Sequence, residues 1–169
     1  EESGRTLASS PLIPSVLIGA TAINEIGSES QKLELLPKII AGELLLALAV
    51  DEHATHSPSN ITTTATKTDK TYLIQGKKTF VLDGHVADKL IVVTRTAGGT
   101  DKEAGITLFL VDSDSPGLEI KRTLMVDNRN SAQVHFDDVK VPYEAMLGEE
   151  GNGFIALDRV LDIARIGIA

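Results

Sequence analysis

The order of apolar and polar positions divides the chain into three parts, of which the first is helical. Apolar side chains repeat there with helical spacing, and Gly27 is a natural end for that helix. Ser28 and Gln31 then form a capping-box pattern that begins a second helix, which Pro37 is expected to kink or restart and Gly42 to end. The repeating apolar positions are Leu12, Ile13, Val16, Leu17, Ala20 and Ile23.

The second part begins near residue 46 and has the pattern of a β-structure. Short runs rich in β-branched, aromatic and leucine residues alternate with turn signals, and no helical period fits between them. Many short strands without intervening helices favour an antiparallel barrel or sandwich over a doubly wound parallel sheet. The runs are ITTTATKT, YLIQGKKTFVL, KLIVVTRT, ITLFLVD, GLEIKRTLM and AQVHFDDVKVP, and the predicted turns are Asp69-Lys70, Gly76-Lys77, Asp83-Gly84, Gly98-Gly99 and Pro116-Gly117.

The third part follows Pro142 and returns to a helical pattern. The segment LGEEGNG leads into an apolar stripe with helical spacing, formed by Phe154, Leu157, Leu161, Ala164 and Ile168. The glycines of GEEGNG are spaced G-x-x-G-x-G and follow no strand, so they indicate a hinge turn rather than a dinucleotide site. The whole pattern predicts an α+β fold in which an antiparallel β-barrel is flanked by helices.

Composition and charge narrow the classes of partner. The chain has 169 residues, 42% of them hydrophobic, which is typical of a globular protein. Its 16 basic and 24 acidic side chains give a formal net charge of -8, so the surface should repel nucleic acid and anionic lipid. The longest apolar run is too short to span a bilayer, and there is no export signal or cysteine. We therefore expect no nucleic-acid or membrane partner and a cytoplasmic location.

The two ends of the sequence predict that it is a segment of a longer protein. It begins with EESGR, without a methionine, and it ends with LDIARIGIA while the helical apolar pattern is still running.

The segment LALAVDEHATHSPSN contains the densest group of candidate ligands. Asp51, Glu52, His53 and His56 fall within six positions, which raises the possibilities of a metal site, a catalytic cluster or a solvated loop. A metal site needs side chains that converge on one point, whereas adjacent side chains at a strand end point in different directions. We therefore predict no metal ion here.

The motifs at the joins between the three parts resemble those of the acyl-CoA dehydrogenase family. IGSESQKLELLPKIIAGELLLALAVDE resembles the family's GTEEQK…LTE passage, and YLIQGKKTFVLDGHVADKLIVVTRT resembles its YxLNGxKxWITNG hairpin. VHFDDVKVPYEAMLGEEGNGF is similar to the family's FEDVxVP…LGxEGxGF segment, and LDIAR to the Asp-x-x-Arg that opens its C-terminal bundle. EESGR resembles a helix signature of the family.

The resemblance implies both an architecture and an activity. Residues 1–45 would end an N-terminal helical domain, 46–148 would form the middle β-barrel domain that binds FAD and acyl-CoA, and 149–169 would begin a C-terminal helical domain. Family members are homo-oligomers that dehydrogenate an acyl-CoA thioester and pass electrons to an electron-transfer flavoprotein or another acceptor. A carboxylate base removes the α-proton while the β-hydride goes to the flavin.

The resemblance also implies that VDEHATHSP is the loop that wraps the flavin ring and pyrophosphate. Val50, Asp51, Glu52 and Ser57 are then cofactor-binding, and Ser57 is also substrate-binding. Asp51 stands where the family has threonine, whose hydroxyl donates to the pyrimidine end of the flavin. An ionised Asp51 can only accept hydrogen bonds and would oppose the negative charge of the reduced flavin.

In the same loop, His53 replaces the family's proline, and Ala54, Thr55 and His56 replace a Gly-Ala-Gly turn. Anchoring the match on the downstream hairpin shifts these correspondences by one position.

The hairpin supplies three further cofactor-binding candidates, Phe80, Val81 and Leu82. They occupy the family's Trp, Ile and Thr or Ser positions, so Phe80 keeps an aromatic ring while Leu82 lacks the hydroxyl that would reach flavin N5. Barrel packing is the alternative interpretation of Phe80 and Leu82.

The helix that follows supplies the substrate-side candidates. Asp162 and Arg165 match residues that face the acyl-CoA pocket in the family, and an ion pair on a helix surface is the alternative interpretation. In some family members a catalytic glutamate precedes this arginine, and here the position is Ala164. We expect the base outside this segment, and an isolated segment without activity. His85 and His135 are interpreted as hydrogen-bonded or solvent-facing rather than catalytic.

Two functions of different classes remain open. One is the flavin- and substrate-binding segment of an acyl-CoA dehydrogenase. The other is a non-catalytic, flavin-poor partner subunit of an acyl-CoA dehydrogenase-like oligomer, which Asp51 and Leu82 favour.

Overall fold

A computed structural model gives the structure and describes Arg5 and residues 10–100, 102–126 and 130–168. Most of the EESGR match and residue 169 therefore lie outside the described residues. The helical elements are a π-helical segment (Leu12–Ala20), α1 (Thr21–Ile26), α2 (Glu29–Ala41), a short 3₁₀ turn (Tyr143–Ala145) and α3 (Gly153–Ile168).

The end signals predicted for α2 are confirmed. The Ser28 hydroxyl accepts from the backbone N–H of Gln31, and the Gln31 side chain accepts from the backbone N–H of Ser28, which completes a capping box. Gly42 ends the helix in the left-handed conformation, with φ of 74°. The helix continues through Pro37 to Ala41, so it does not restart at the proline.

The strands of the described residues form a single sheet of eight. The hydrogen-bonded order is β6-β7-β3-β2-β4-β5-β8, and β1 pairs with β4 beside β2. Most pairs are antiparallel, as predicted, while β1 and β2 both pair with β4 in parallel. The strands are β1 (Leu46–Ala49), β2 (Thr64–Lys67), β3 (Thr71–Leu82), β4 (Lys89–Arg95), β5 (Ile106–Asp112), β6 (Leu118–Leu124), β7 (Asn130–Pro142) and β8 (Met146–Leu147).

Two hydrophobic cores lie on the two faces of this sheet. One face of the strands β1 to β5 and β7 contributes side chains to a single inner cluster around Tyr72, Phe109 and Phe136, so the sheet curves around that core. The opposite face of β1, β4, β5 and β8 packs against the helices, where Ile23, Leu35 and other residues of all three α-helices are buried. The predicted α+β fold, a β-barrel middle domain flanked by helices, is confirmed.

The N-terminal helices fix the start of β1. The Ser15 hydroxyl donates to the Leu46 carbonyl and accepts from the Leu46 amide, both at 3.1 Å. Gly19 allows this close approach, because a Cβ atom there would lie 2.7 Å from Cβ of Leu46. The strand that leads into the candidate loop is therefore held by helix contacts as well as by β4. None of the described helices is long and apolar enough to cross a membrane.

The predicted turn at Gly76-Lys77 is wrong, because β3 runs without interruption from Thr71 to Leu82. Its pairing with β7 instead shifts at two bulges, between Ile74 and Gly76 and between Lys78 and Val81. Gly76 has φ of 145°, and a Cβ there would lie within 2.6 to 2.9 Å of Thr63 atoms. The glycine signal therefore marks a bulge with a close backbone approach, not a chain reversal.

We predict that Gly76→Ala lowers the free energy of unfolding by about 3 kcal/mol, because a backbone available only to glycine is combined with a clash against Thr63. Gly42→Ala is the matched control, since Gly42 also has positive φ but has no atom within 4 Å of an added Cβ. That control should cost only about 1 kcal/mol. Urea denaturation measures both, and equal losses would contradict a steric role for Gly76.

Candidate functional site

The candidate site is built from two segments that the fold brings together. One is the loop of residues 50–60, which follows β1, and the other is the second bulge of β3, residues 78–82, called here the β3 bulge. The Lys78 ammonium donates to the Val50 carbonyl at 3.0 Å, and the Thr79 amide donates to the Asp51 carbonyl at 2.7 Å. Two consecutive residues of β3 therefore hold two consecutive residues of the loop.

A buried ion pair lies beneath this junction. The Lys78 ammonium is 2.7 Å from Oε1 of Glu52, and the two side chains are 0% and 2% exposed. The Glu52 carboxylate also accepts from the backbone amides of Thr62 at 2.7 Å and Thr63 at 2.9 Å, and from the Thr62 hydroxyl. Every strong hydrogen-bonding direction of the carboxylate thus has a donor, as a buried charge requires.

The electrostatics of the pair favour the ionised form of Glu52. Burial by itself would raise the pKa of Glu52, but the Lys78 charge and the hydrogen bonds from Lys78, Thr62 and Thr63 lower it from 4.5 to about 2. Burial lowers the pKa of Lys78 from 10.5 to about 8, although Glu52 acts in the opposite direction. At neutral pH both groups are therefore charged.

Asp51 turns away from this pair and contacts a histidine of its own loop. Its two carboxylate oxygens lie 2.8 and 3.0 Å from Nδ1 of His56. The Asp51 side chain is 19% exposed and that of His56 is 47% exposed, so the contact lies at the surface of the loop. Two residues that depart from the family pattern therefore contact each other.

The loop also presents unused backbone donors. The amides of residues 52–57 donate to no acceptor among the described residues, whereas the Asn60 amide donates to the Ser57 carbonyl at 2.9 Å. Ser57 is half-buried at the start of this turn. A run of free amides beside an anchored strand end is a suitable environment for anionic or carbonyl oxygens of a ligand.

The far end of the loop is held by Arg95 of β4. Its guanidinium donates to the Ile61 carbonyl at 3.0 Å and to the Ser59 carbonyl at 2.9 Å. It also donates to the Ala104 and Lys102 carbonyls of the neighbouring β4–β5 loop, at 2.9 and 2.8 Å. Both ends of the 50–60 loop are thus fixed by buried cations.

The three hairpin candidates have different environments. Phe80 is 46% exposed with φ of 53°, so its ring points out of the barrel and the packing interpretation is wrong for this residue. Val81 is buried in the inner core and is 1% exposed, while Leu82 is half-buried. The bulge is what turns Phe80 outward between inward-facing Lys78 and Val81, and it strains the Phe80 backbone.

The remaining candidates lie outside this junction. Asp162 and Arg165 are exposed on α3 and form an ion pair with each other, in agreement with the surface-pair interpretation in this structure. His135 is exposed on β7, and Nδ1 of His85 is buried without a hydrogen-bond partner among the described residues. The substrate-binding role of Asp162 and Arg165 stays a prediction.

The polar group of the 50–60 loop does not converge on one point. The Glu52 carboxylate is directed inward to Lys78, while Asp51 contacts His56 at the loop surface. Within residues 5, 10–100, 102–126 and 130–168, no group of three or more His, Cys, Asp or Glu side chains is arranged to hold a metal ion.

Sequence reasoning missed Lys78 and Arg95 as parts of the site. Lys78 was visible as the lysine of the hairpin motif, but a lysine in a strand is normally assigned to the solvent face. Arg95 is the last residue of the apolar strand β4, and no motif in the sequence marked it as part of a site. Both act on backbone carbonyls of the loop, and such contacts leave no pattern in the sequence.

Comparison with known proteins now adds to this geometry. Residues 47–139 match the family model described as acyl-CoA dehydrogenase, middle domain. An acyl-CoA dehydrogenase of Bacillus subtilis is 34% identical over 90% of this chain and 41% of its own length. The structure of butyryl-CoA dehydrogenase from Megasphaera elsdenii is 35% identical with a TM-score of 0.86, over 94% of this chain and 42% of that one.

A further solved chain, described as electron transferring flavoprotein of Acidaminococcus fermentans, is 30% identical with a TM-score of 0.86, over 94% of this chain and 42% of that one. The chain spans about two fifths of the length of these relatives. Its middle part is matched by the family model over more than half of the 169 residues, and its strand order, bulged β3 and loop form one continuous fold. The chain therefore belongs to the acyl-CoA dehydrogenase family and carries the family's middle domain.

Proposed function

We propose that this chain is the flavin- and substrate-binding part of an FAD-dependent enzyme that dehydrogenates an acyl-CoA thioester between the α and β carbons. The observation that carries the proposal is the junction of the 50–60 loop and the β3 bulge, where free amides and an outward-facing aromatic ring lie on anchored backbone. The division into 1–45, 46–148 and 149–169 is part of the same proposal.

The described residues fit FAD in their backbone donors and in an exposed aromatic ring. The free amides of residues 52–57 offer hydrogen bonds to the oxygens of a flavin ring and a pyrophosphate. The exposed ring of Phe80 offers an aromatic surface for stacking, and its strained backbone is consistent with a functional position. Val81, the next residue after Phe80, packs into the inner core and holds the strand in place. The Leu82 side chain has no polar group and can supply only apolar contact.

The division of chemical work follows from what the chain contains. FAD supplies the hydride acceptor when it is bound. The loop and the β3 bulge bind and orient that ring, and Ser57 lies where a hydroxyl contacts the substrate in the family. The base that removes the α-proton is supplied from outside these residues. Asp162 and Arg165 would have to exchange their mutual ion pair for contacts with the acyl-CoA.

The contact between Asp51 and His56 accounts for the loss of the family's threonine. A carboxylate next to a reduced flavin would repel its negative charge, and the imidazole that contacts both oxygens of Asp51 offsets this repulsion. The loop can therefore tolerate an acidic residue at a position where the family uses a neutral donor.

We further propose that the full-length protein is a homo-oligomer in the cytoplasm that passes electrons to an electron-transfer flavoprotein or another acceptor. The family assignment supports these partners.

A non-catalytic, flavin-poor partner subunit is the second candidate function. Leu82 favours it, because this half-buried side chain brings no hydroxyl to the place where the family has one. The two candidates differ in a single property, which is whether the full-length protein binds FAD.

We predict that the full-length protein binds one FAD per chain and shows a flavin absorption band. Phe80→Ala should raise the FAD dissociation constant about tenfold, because a stacking surface worth about 1.4 kcal/mol is lost. Titration of the apoprotein with FAD, monitored by flavin fluorescence, measures the dissociation constants of the unmodified protein and of Phe80→Ala. Failure of the unmodified protein to bind FAD would favour the partner-subunit candidate instead.

We predict that the 169-residue chain alone does not turn over any saturated acyl-CoA, because the base and much of the active-site wall are expected elsewhere. A dye-reduction assay with acyl-CoA thioesters of several chain lengths, in the presence of added FAD, is the measurement. Turnover above the rate of a protein-free control would show that a base lies within these residues.

We predict that substitutions of Asp51 and of His56, which contact each other, shift the flavin reduction potential in opposite directions. Asp51→Thr removes a like charge and restores a donor, so the potential should rise by about 30 mV, which corresponds to about 1.4 kcal/mol for a two-electron couple. His56→Gly leaves the Asp51 carboxylate without its partner and should lower the potential. Redox titration of the single and double variants is the test.

The double variant Asp51→Thr/His56→Gly is the matched control and should have a potential close to that of Asp51→Thr. An unchanged potential in Asp51→Thr would mean that this carboxylate points away from the ring and that the loop contact is only a surface feature.

A further inference from the structure

The most deeply buried charges near the candidate site are the side chains of Lys78 and Glu52, which contact each other. Lys78 is fully buried although it lies on a strand whose next outward-facing neighbours, Lys77 and Phe80, are exposed. Its ammonium donates to the Val50 carbonyl and to the Glu52 carboxylate, at 3.0 and 2.7 Å. Neither contact involves the inner hydrophobic core, and both involve the loop.

We propose that Lys78 and Glu52 are positioning residues for the cofactor, which fix the backbone of residues 50–52 against the β3 bulge before FAD binds. This inference rests on the proposed function, because it assigns the pair a task in the same flavin site.

The contacts show how the pair connects the two parts of that site. Lys78 fixes the loop at Val50, and Thr79 fixes it at Asp51, while the next residue of the strand is the outward-facing Phe80. Glu52 extends the connection to the segment before β2, through the amides of Thr62 and Thr63. The free amides of the loop therefore stand at a fixed distance from the Phe80 ring.

Stability alone does not explain an ion pair at this place. Removing two charges from water is costly, and a buried pair can often be replaced by neutral side chains of similar volume without loss of stability. What neutral side chains cannot supply is the set of directed donors that hold the Val50 carbonyl and the loop carboxylate together. A ligand site whose donors are fixed in advance loses less entropy when the ligand binds.

A positioning role predicts that variants of the pair change FAD affinity more than they change stability. Lys78→Met alone leaves the Glu52 charge buried without its partner and should reduce both stability and FAD affinity. Glu52→Gln/Lys78→Met removes both charges, and the glutamine keeps one acceptor oxygen in place of the two that accept from the Thr62 and Thr63 amides. The midpoint of unfolding in this double variant should lie above that of Lys78→Met, because no charge is left buried without its partner.

FAD binding by the full-length apoprotein is then compared at a temperature at which each of these variants is folded. In Glu52→Gln/Lys78→Met the FAD dissociation constant should remain raised about tenfold or more, and the fine structure of the flavin absorption band should be reduced, because the loop is no longer fixed by Lys78. Lys77→Met is the matched control, since Lys77 is the exposed neighbour on the same strand, and it should bind FAD as the unmodified protein does.

Two results would overturn the inference, and they distinguish its failure from failure of the proposed function. A double variant that binds FAD as tightly as Lys77→Met would limit the pair to a structural role. If the unmodified protein and Lys77→Met both bind no FAD, the proposed function fails and the inference fails with it.

Hydrogen exchange of the apoprotein keeps the inference testable if a variant does not fold. The Thr62, Thr63 and Thr79 amides, which hold the loop through Glu52 and the Asp51 carbonyl, should be protected before FAD is added. Protection of these three amides only after FAD is added would show that the cofactor orders the loop, which contradicts positioning by the pair.

Discussion

The ion pair between Glu52 and Lys78 is the interaction on which the candidate site depends. A charge with no solvent access must have its hydrogen-bonding directions occupied, so each additional partner of the pair is effectively obligatory. Those partners are the Val50 carbonyl at the start of the 50–60 loop and the amides of Thr62 and Thr63, which follow its end. The buried charges require these hydrogen bonds, and the hydrogen bonds in turn fix the conformation of the loop.

The β3 bulges supply the second constraint, because they change which residues face inward. A regular strand would place Lys78 and Phe80 on the same face, since side chains alternate with a period of two. The bulge inserts one residue between Lys78 and Val81, so both of these face the barrel interior and Phe80 is exposed. One backbone irregularity therefore buries the lysine that holds the loop and exposes the aromatic ring beside it.

The sequence predicted the elements of the fold well, for reasons that are local. The capping box at Ser28, the left-handed end at Gly42 and the strand runs each depend on residues close together in the chain. The turn predicted at Gly76 failed because glycine signals any unusual backbone, and only the contact with Thr63 distinguishes a bulge from a turn. The resemblance to a family placed the loop and the hairpin side by side.

What the sequence could not supply was the direction of side chains within the site. The outward position of Phe80 depends on the register between β3 and β7, and the burial of Lys78 depends on a carboxylate 26 residues earlier. Both are properties of pairing between distant segments, which a linear pattern does not contain. The same limit applied to Asp51, whose partner His56 is close in sequence but meets it only because the loop folds back on itself.

Two residues of the loop that depart from the family pattern, Asp51 and His56, contact each other. In the proposed flavin site, Asp51 by itself would place a negative charge where the flavin gathers negative charge on reduction, and the family resemblance implies that His56 replaces a small residue in a tight turn. In contact, the imidazole occupies both carboxylate oxygens, and the carboxylate in turn holds the ring on the loop. The carbonyl of Asp51 also accepts from the Thr79 amide, so the backbone that carries this carboxylate is held against the β3 bulge. The contact between Asp51 and His56 thus depends on the same backbone junction as the buried ion pair beneath it.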